Sequence, residues 1–219
     1  MHYAPPRLPN DLSPLPNDPA LFIRVVREER CLSNILVENA DLSGCDLSSL
    51  SVKQAKFVRC RFAGCDLTNL DGRDVVFSAC DFSNARADRA YFSRCLFENS
   101  KAVGLHAQQT LWRQTAFLHG LFSYGNFEHA EWDGIRILNS DFSHAFFTFC
   151  TFKQVEWNDA LLVGVCFSGS PLSGQDFSRS RLSAVTVSQY APELSGAAVS
   201  PAQALEFSRL LGLIIKNPG

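Results

Sequence analysis

The chain has 219 residues, with 20 Lys and Arg against 22 Asp and Glu and a formal charge of −2. That length permits a sizeable core, and the near-neutral balance excludes nonspecific nucleic-acid binding through a basic surface. The start, Met1-His2-Tyr3-Ala4-Pro5-Pro6, lacks the basic and apolar regions of a signal peptide, and Leu21-Phe22-Ile23 is far too short to span a bilayer, so a cytoplasmic protein without membrane contact is expected.

Residues 1–31 read as a Pro-rich arm and N-terminal cap. Six prolines fall in residues 1–20, and Pro9-Asn10-Asp11 recurs as Pro16-Asn17-Asp18, which suits an extended or turn-rich segment. Leu21 to Val26, followed by Arg27, Glu28, Glu29 and Arg30, is expected to lay one apolar edge over whatever comes next.

From Leu32 to Val187 the side-chain register repeats every five residues without a slip. It runs through Leu32, Val37, Leu42, Leu47, Val52, Phe57, Phe62 and Leu67 and ends at Phe177, Leu182 and Val187. Of these 32 positions 28 are large and apolar and none is charged; they hold 14 of the 18 Phe and all three Trp. A period of five matches neither the 3.6 of a helix nor the 2.0 of a strand, so only a coil returning each fifth residue to the interior explains it. The residues two before each large one are mostly small, and six of the eight cysteines (Cys45, Cys60, Cys65, Cys80, Cys95, Cys150) sit there at multiples of five. They read as buried structural thiols, not as a disulfide or metal framework, with Cys31 and Cys166 off that column.

The unit is small, polar, large, polar, polar, as in Ala40-Asp41-Leu42-Ser43-Gly44, Cys65-Asp66-Leu67-Thr68-Asn69 and Cys80-Asp81-Phe82-Ser83-Asn84. Those residues resemble the pentapeptide-repeat family. The resemblance implies an all-β fold over residues 32–187, a right-handed quadrilateral β-helix with four pentapeptides per square coil, here nearly eight coils. Every twentieth residue then shares a stack: Leu32, Val37, Leu42 and Leu47 begin the stacks of faces one to four. Ala87, Ala102 and Ala107 replace large residues, so the coils near 85–110 are expected to pack least well, with Leu105 placed to fill part of the gap and Leu70 beside Gly72.

Residues 188–219 read as a C-terminal capping and dimerisation segment. Ser200-Pro201-Ala202-Gln203 is a capping-box start for a helix over about 201–211, stopped by Gly212, with Leu213-Ile214-Ile215 as a short strand. Leu205, Phe207, Leu210, Leu211 and Ile214 exceed what a small cap buries, and they are the candidate interface of a homodimer. A similar ending occurs in the gyrase-protecting Qnr and MfpA proteins of this family.

No cofactor or metal is expected, and an enzyme is not: a rod packed with Phe and Leu offers no pocket, and His106, His119, His129 and His144 take outward positions without metal-like spacing. Gly120 and Gly125 mimic a phosphate loop but lack its Lys-Ser/Thr and belong to the small column. Two surfaces remain as binding candidates. One is an acidic flank on faces three and four, formed by Asp41, Asp46, Asp66, Asp81, Asp88, Glu128 and Asp141; the other is an apolar stripe on face two, Val76, Leu96, Leu118 and Leu138. The resemblance implies a DNA-mimicking rod that binds DNA gyrase or topoisomerase IV and protects it from quinolone-type poisons, without the projecting loops of some Qnr proteins. The other reading is a non-enzymatic scaffold docking a different protein through the stripe.

Overall fold

A computed structural model describes residues 2–210, 212–214 and 216. Its spine is a ladder of parallel pairings with a constant step of 20 residues: Phe57 pairs with Val37 and Phe77, Trp132 with Trp112 and Phe152. Short strands such as Cys31–Ser33, Leu96–Glu98 and Leu111–Arg113 alternate with single bridges at the other sides. Ser51–Val58, Asp71–Ser78, Glu131–Leu138 and Thr151–Asn158 run through a corner. The fold is a β-solenoid of parallel stacked coils, about nine turns in all.

The five-residue register is the inside of this solenoid. Every large-column position from Leu32 to Leu182 is buried, and Val187 at the end is half-buried. Aromatic rings stack along each face, with Phe57, Phe77, Phe97 and Phe117 spaced by 5.3, 4.8 and 5.4 Å. Rings of adjoining faces meet edge-on, as Phe77 and Phe82 do at 5.1 Å and 86°. Offset stacking and edge contacts each suit the ring quadrupole, so the core gains aromatic attraction in two directions at once.

Closing a side in five residues needs a sharp corner. The residue ahead of each small position except Ser180 takes a left-handed conformation, with φ between 47° and 59° at Asn39, Asp74, Gln114, Asn139 and Phe149 among others. L-residues reach this region at a cost of about 1 kcal/mol each, offset by stacking on both neighbours. Small-column hydroxyls and thiols add a bond that the sequence reading did not foresee. Thr110 Oγ1 donates to the Ala87 carbonyl at 2.9 Å, Ser140 Oγ to that of Phe117 at 3.1 Å and Cys150 Sγ to that of Phe127 at 2.9 Å, each reaching back 23 residues.

Enclosed voids are small. One of about 10 Å³ is lined by Ala87, Ala102, Leu105 and Trp112, where thin packing is expected, but a larger one of about 20 Å³ lies nearer the N-terminus, between Leu47, Leu50, Phe62 and Phe82. Leu105 is 5% exposed and closes most of the alanine gap. Gly72 leaves no hole, because Phe92 Cδ1 and Leu70 Cδ2 stand 3.0 and 3.3 Å from where a Cβ would be.

At the N-terminal end, residues Pro19–Glu29 form helix α1, N-capped by the Asp18 side chain, with Phe22 and Val26 buried on the first coil. The other end closes with a coil two residues longer than the rest: Asp176 bridges Ala198, and the turn Pro192–Leu194 takes up the difference. Helix α2, Pro201–Phe207, starts with a complete capping box between Ser200 and Gln203. It is shorter than the 201–211 expected, giving way to a turn at Ser208–Leu210, and Leu213 and Ile214 are not in a strand. Leu211 and Ile215 lie outside the described residues. Gln203 is buried because its Nε2 donates to the carbonyls of Phe177 (3.1 Å) and Ser180 (2.8 Å), holding α2 to the last coil.

Candidate interaction surfaces

The seven flank carboxylates stand on faces three and four, and five have a local task. Oδ1 of Asp41, Asp46, Asp66, Asp81 and Asp141 accepts the backbone N–H two residues on, from Ser43, Ser48, Thr68, Ser83 and Ser143, at 2.7 to 3.1 Å. These are Asx turns that shape the corner, so the Asp of the repeat unit is first a folding residue. The Ser43 and Ser48 hydroxyls and amides hold Asp41 and Asp46 below the usual carboxylate range. Burial pushes Asp81 up, but Ser83, Lys101 and Arg61 outweigh it and its pKa is lowered.

The columns also interleave signs. On face three the order is Asp41, Arg61, Asp81, Lys101, Leu121, Asp141, with Arg61 3.3 Å from Asp41. On face four Asp46 and Asp66 are adjacent, then Arg86 and His106 follow. Asp88 accepts the Gln108 amide at 3.0 Å and Glu128 the Gln108 side chain at 2.8 Å.

Face two presents a different picture. Val76, Leu96 and Ala116 share one column, and Leu118 pairs with Leu138 in another. Val76, Leu96, Leu118 and Leu138 are half-buried, not exposed. The N-terminal arm runs along this face. Ser13–Pro14 pairs with Ile35–Leu36, the Arg7 N–H donates to Asp74 Oδ1 at 2.9 Å, and Gln54 Nε2 donates to the Arg7 carbonyl at 3.4 Å. Farther along, Gln114 Nε2 donates to the His2 carbonyl at 3.3 Å and the Arg136 guanidinium lies 4.8 Å from the centre of the Tyr3 ring.

Sequence reasoning missed Gln54, Asp74, Gln114 and Arg136. The signal was there: stepping by 20 from Gln54 gives Asp74, Arg94 and Gln114, a polar column at the left-handed corner position. Asp74 is 7% exposed and also takes a two-pronged bond from Arg94 at 2.7 and 2.6 Å. Burial raises its pKa, yet Arg94 and the Arg7 amide win and hold it below the ordinary value.

At the C-terminal end Leu205, Leu210, Leu213 and Ile214 are 54, 42, 58 and 88% exposed, while Phe207 is buried under the cap. Beside them an open cleft of about 540 Å³ is lined by Tyr190, Leu194, Val199, Phe207 and Leu213. Exposed rings also gather between faces three, four and one, where Tyr124 stacks on His144 at 5.0 Å and His129 on Phe149 at 5.1 Å, with Phe146 half exposed. His106, His119, His129 and His144 are all exposed, and among the described residues no three His, Cys, Asp or Glu are grouped to hold a metal. All eight cysteines are free; Cys45 and Cys166 are half-buried and Cys31 is exposed. Among the described residues no helix is long and apolar enough to cross a membrane.

The fold thus defines a parallel β-solenoid whose side is five residues and whose coil is twenty. The family model for pentapeptide repeats matches residues 55–94 in eight copies, and the chain is a pentapeptide-repeat protein. No curated protein sequence matches it. Among solved structures it is similar to a trypsin-treated form of QnrB1, a plasmid-mediated fluoroquinolone resistance protein, at 20% identity over 94% of this chain and 98% of that one, with a TM-score of 0.34. It is also similar to HetL, involved in heterocyst differentiation regulation in the cyanobacterium Nostoc sp. strain PCC 7120, at 16% identity, 83% and 92% coverage and a TM-score of 0.35. Rfr23 from the cyanobacterium Cyanothece 51142 matches at 9% identity, 81% and 97% coverage and a TM-score of 0.30. At such values none of these likenesses carries a partner over to this chain.

Proposed function

We propose that the protein is a non-catalytic cytoplasmic rod that pairs through its C-terminal ends and binds DNA gyrase or topoisomerase IV in place of duplex DNA, lowering the enzyme's sensitivity to quinolone-type poisons. It does so without touching nucleic acid itself. The observation that carries this reading is the apolar end: Leu205, Leu210, Leu213 and Ile214 are left in water on a rod with no insertion in its body. An exposed apolar cluster beside a cleft suits a self-complementary interface. Eight coils at roughly 4.8 Å give a body of about 38 Å, and two end to end about 75 Å, the length of roughly 22 base pairs at 3.4 Å each. The carboxylates of Asp46 and Asp66, adjacent on face four, supply the paired negative charge for a basic saddle.

The test is a gyrase supercoiling and cleavage assay with and without a fluoroquinolone. Asp46→Asn with Asp66→Asn keeps both side-chain acceptors of the corner turns and removes the charge, so it should leave stability intact and weaken the effect on gyrase. Leu205→Asp with Ile214→Asp should halve the solution mass. No inhibition and no drug rescue by the unaltered protein at micromolar concentration would overturn the reading. The competing scaffold reading requires the arm to leave face two.

A further inference from the structure

We infer that face two is a docking groove for an extended, proline-containing peptide segment of another protein, and that residues 2–15 are its resident occupant. Capping does not require the arm there. Helix α1 already covers the first coil with Phe22 and Val26, yet the chain ahead of it continues along the rod as far as Gln114 and Arg136, four steps of 20 residues beyond Asn34 and five beyond Leu36.

The contacts are also of the kind that reads a backbone. Gln54 and Gln114 donate to carbonyls, Asp74 accepts an amide and Ser13–Pro14 pairs as a strand; none of these depends on an arm side chain. Asp74 is built for an amide: it is buried, held rigid by Arg94, and one oxygen is completed by the Arg7 N–H. Without that donor a desolvated carboxylate is left short of one partner, a cost that draws any extended segment into the same place. Prolines at 5, 6, 9 and 14 limit the chain's freedom before it docks, which reduces the entropy lost on binding. The aromatic ring at position 3 finds a cation in Arg136, and Val76 and Leu96 lie on the same face between the rungs at Asp74 and Gln114.

The occupant is therefore a segment with spaced prolines, free backbone N–H and C=O groups between them and a terminal aromatic. Few bonds hold the arm, so a partner's segment competes by mass action. This inference is independent of the topoisomerase reading, which uses faces three and four and the C-terminal end.

The test uses the full chain with a protease site inserted between Pro16 and Asn17, cut so that the arm is held only by the groove. Probes are a labelled peptide of residues 2–15, the same peptide with Arg7→Pro, and one of unrelated sequence that keeps the prolines and Tyr3. The nicked protein, melting as the uncut one does, should bind the first peptide after the freed arm is dialysed away, and the uncut protein should bind it at least about tenfold more weakly. Arg7→Pro removes the donor to Asp74 and should cost the peptide about tenfold, as should Asp74→Asn in the protein. The unrelated peptide should bind within about tenfold of the native one, since the rungs read backbone. Absence of binding to the nicked protein, equal binding to cut and uncut chains, or binding of the native sequence alone would overturn the inference.

Discussion

Deleting Asn126 moves every later residue back by one position. The 13 inward places from Phe127 to Val187 would then receive Glu128, Asp133, Leu138, Ser143, Thr148, Lys153, Asn158, Val163, Ser168, Ser173, Ser178, Ser183 and Ser188. Only Leu138 and Val163 among them are apolar, so 11 of the 13 places lose a large apolar side chain, ten of them now buried and that of Val187 half-buried. At about 1.5 to 3 kcal/mol for each buried apolar side chain, the loss is roughly 15 to 30 kcal/mol. Desolvating Glu128, Asp133 and Lys153 without partners adds to it. A domain stabilised by about 5 to 15 kcal/mol cannot absorb that, so the half beyond Gly125 should not fold in the shifted frame. Trp132 and Trp157, buried here, report on that half, and Trp112 on the coil before it. Emission should shift to that of solvated indole for two of the three tryptophans, with loss of the cooperative transition. Asn126→Gly, which keeps the frame, should melt within a few degrees of the parent, since about 1 kcal/mol moves Tm by roughly 2 to 4 °C at this size. Removing residues 126–130 together also keeps both inward columns and should restore a cooperative melt. A soluble single-residue deletion with native emission and an unchanged Tm would refute the reasoning.

Glu193 is 5% exposed; burial raises its pKa, but the Ser188 hydroxyl and the amides of Gly169 and Ser188 hold it below the ordinary value. A depressed folded pKa stabilises above the unfolded value near about 4.3 and ceases to do so as pH falls through the folded one. Urea midpoints should therefore fall more steeply below about pH 4.3 in the parent than in Glu193→Gln. Burial pushes the Cys95 and Cys150 thiols up to about 12, whereas Cys31 is exposed. Iodoacetamide near neutral pH should label Cys31 first and reach Cys95 and Cys150 only in urea, as read by peptide mass. Gln203→Ala removes one half of the capping box and both bonds to the last coil, costing about 2 to 4 kcal/mol of local stability. Amide exchange over residues 201–207 should accelerate while that of residues 51–78 does not.

The body of the solenoid was legible because burial alone writes its period: Phe57, Phe77 and Phe97 must share a stack once the coil is twenty residues long. The cap was legible in kind, through Ser200 and Gln203, but not in length, because α2 ends where the chain turns at Ser208 and no local residue announces it. Nor could the sequence place the Gln203 side chain on carbonyls 26 and 23 residues earlier. The flank acids were found by their charge, yet the spacing Asp-x-Ser in Asp41-Leu42-Ser43 and Asp81-Phe82-Ser83 is a corner turn first. The arm was the harder case. Its composition announced an extended segment, but its track depends on Gln54, Asp74 and Gln114, each an ordinary polar residue until the coil aligns them.

Alignment by twenties also decides what the surface can do, because each outward column is chemically independent of the core beneath it. Net charge is then a poor guide; the order of signs within a column is the relevant quantity, and on face four it runs Asp46, Asp66, Arg86, His106, Asn126, Phe146. On that column charge gives way to aromatic character toward the C-terminal coils, where Tyr124, Phe146 and Phe149 are exposed, while Glu128 and Asp141 keep carboxylates elsewhere on faces four and three there. In a rod paired through its C-terminal ends, Asp46 and Asp66 would fall toward the two outer tips and the exposed rings nearer the middle. The adjacent carboxylates of Asp46 and Asp66 are therefore where a basic surface would make its first contact, and Arg61 and Arg86 set how far along the rod that contact can run.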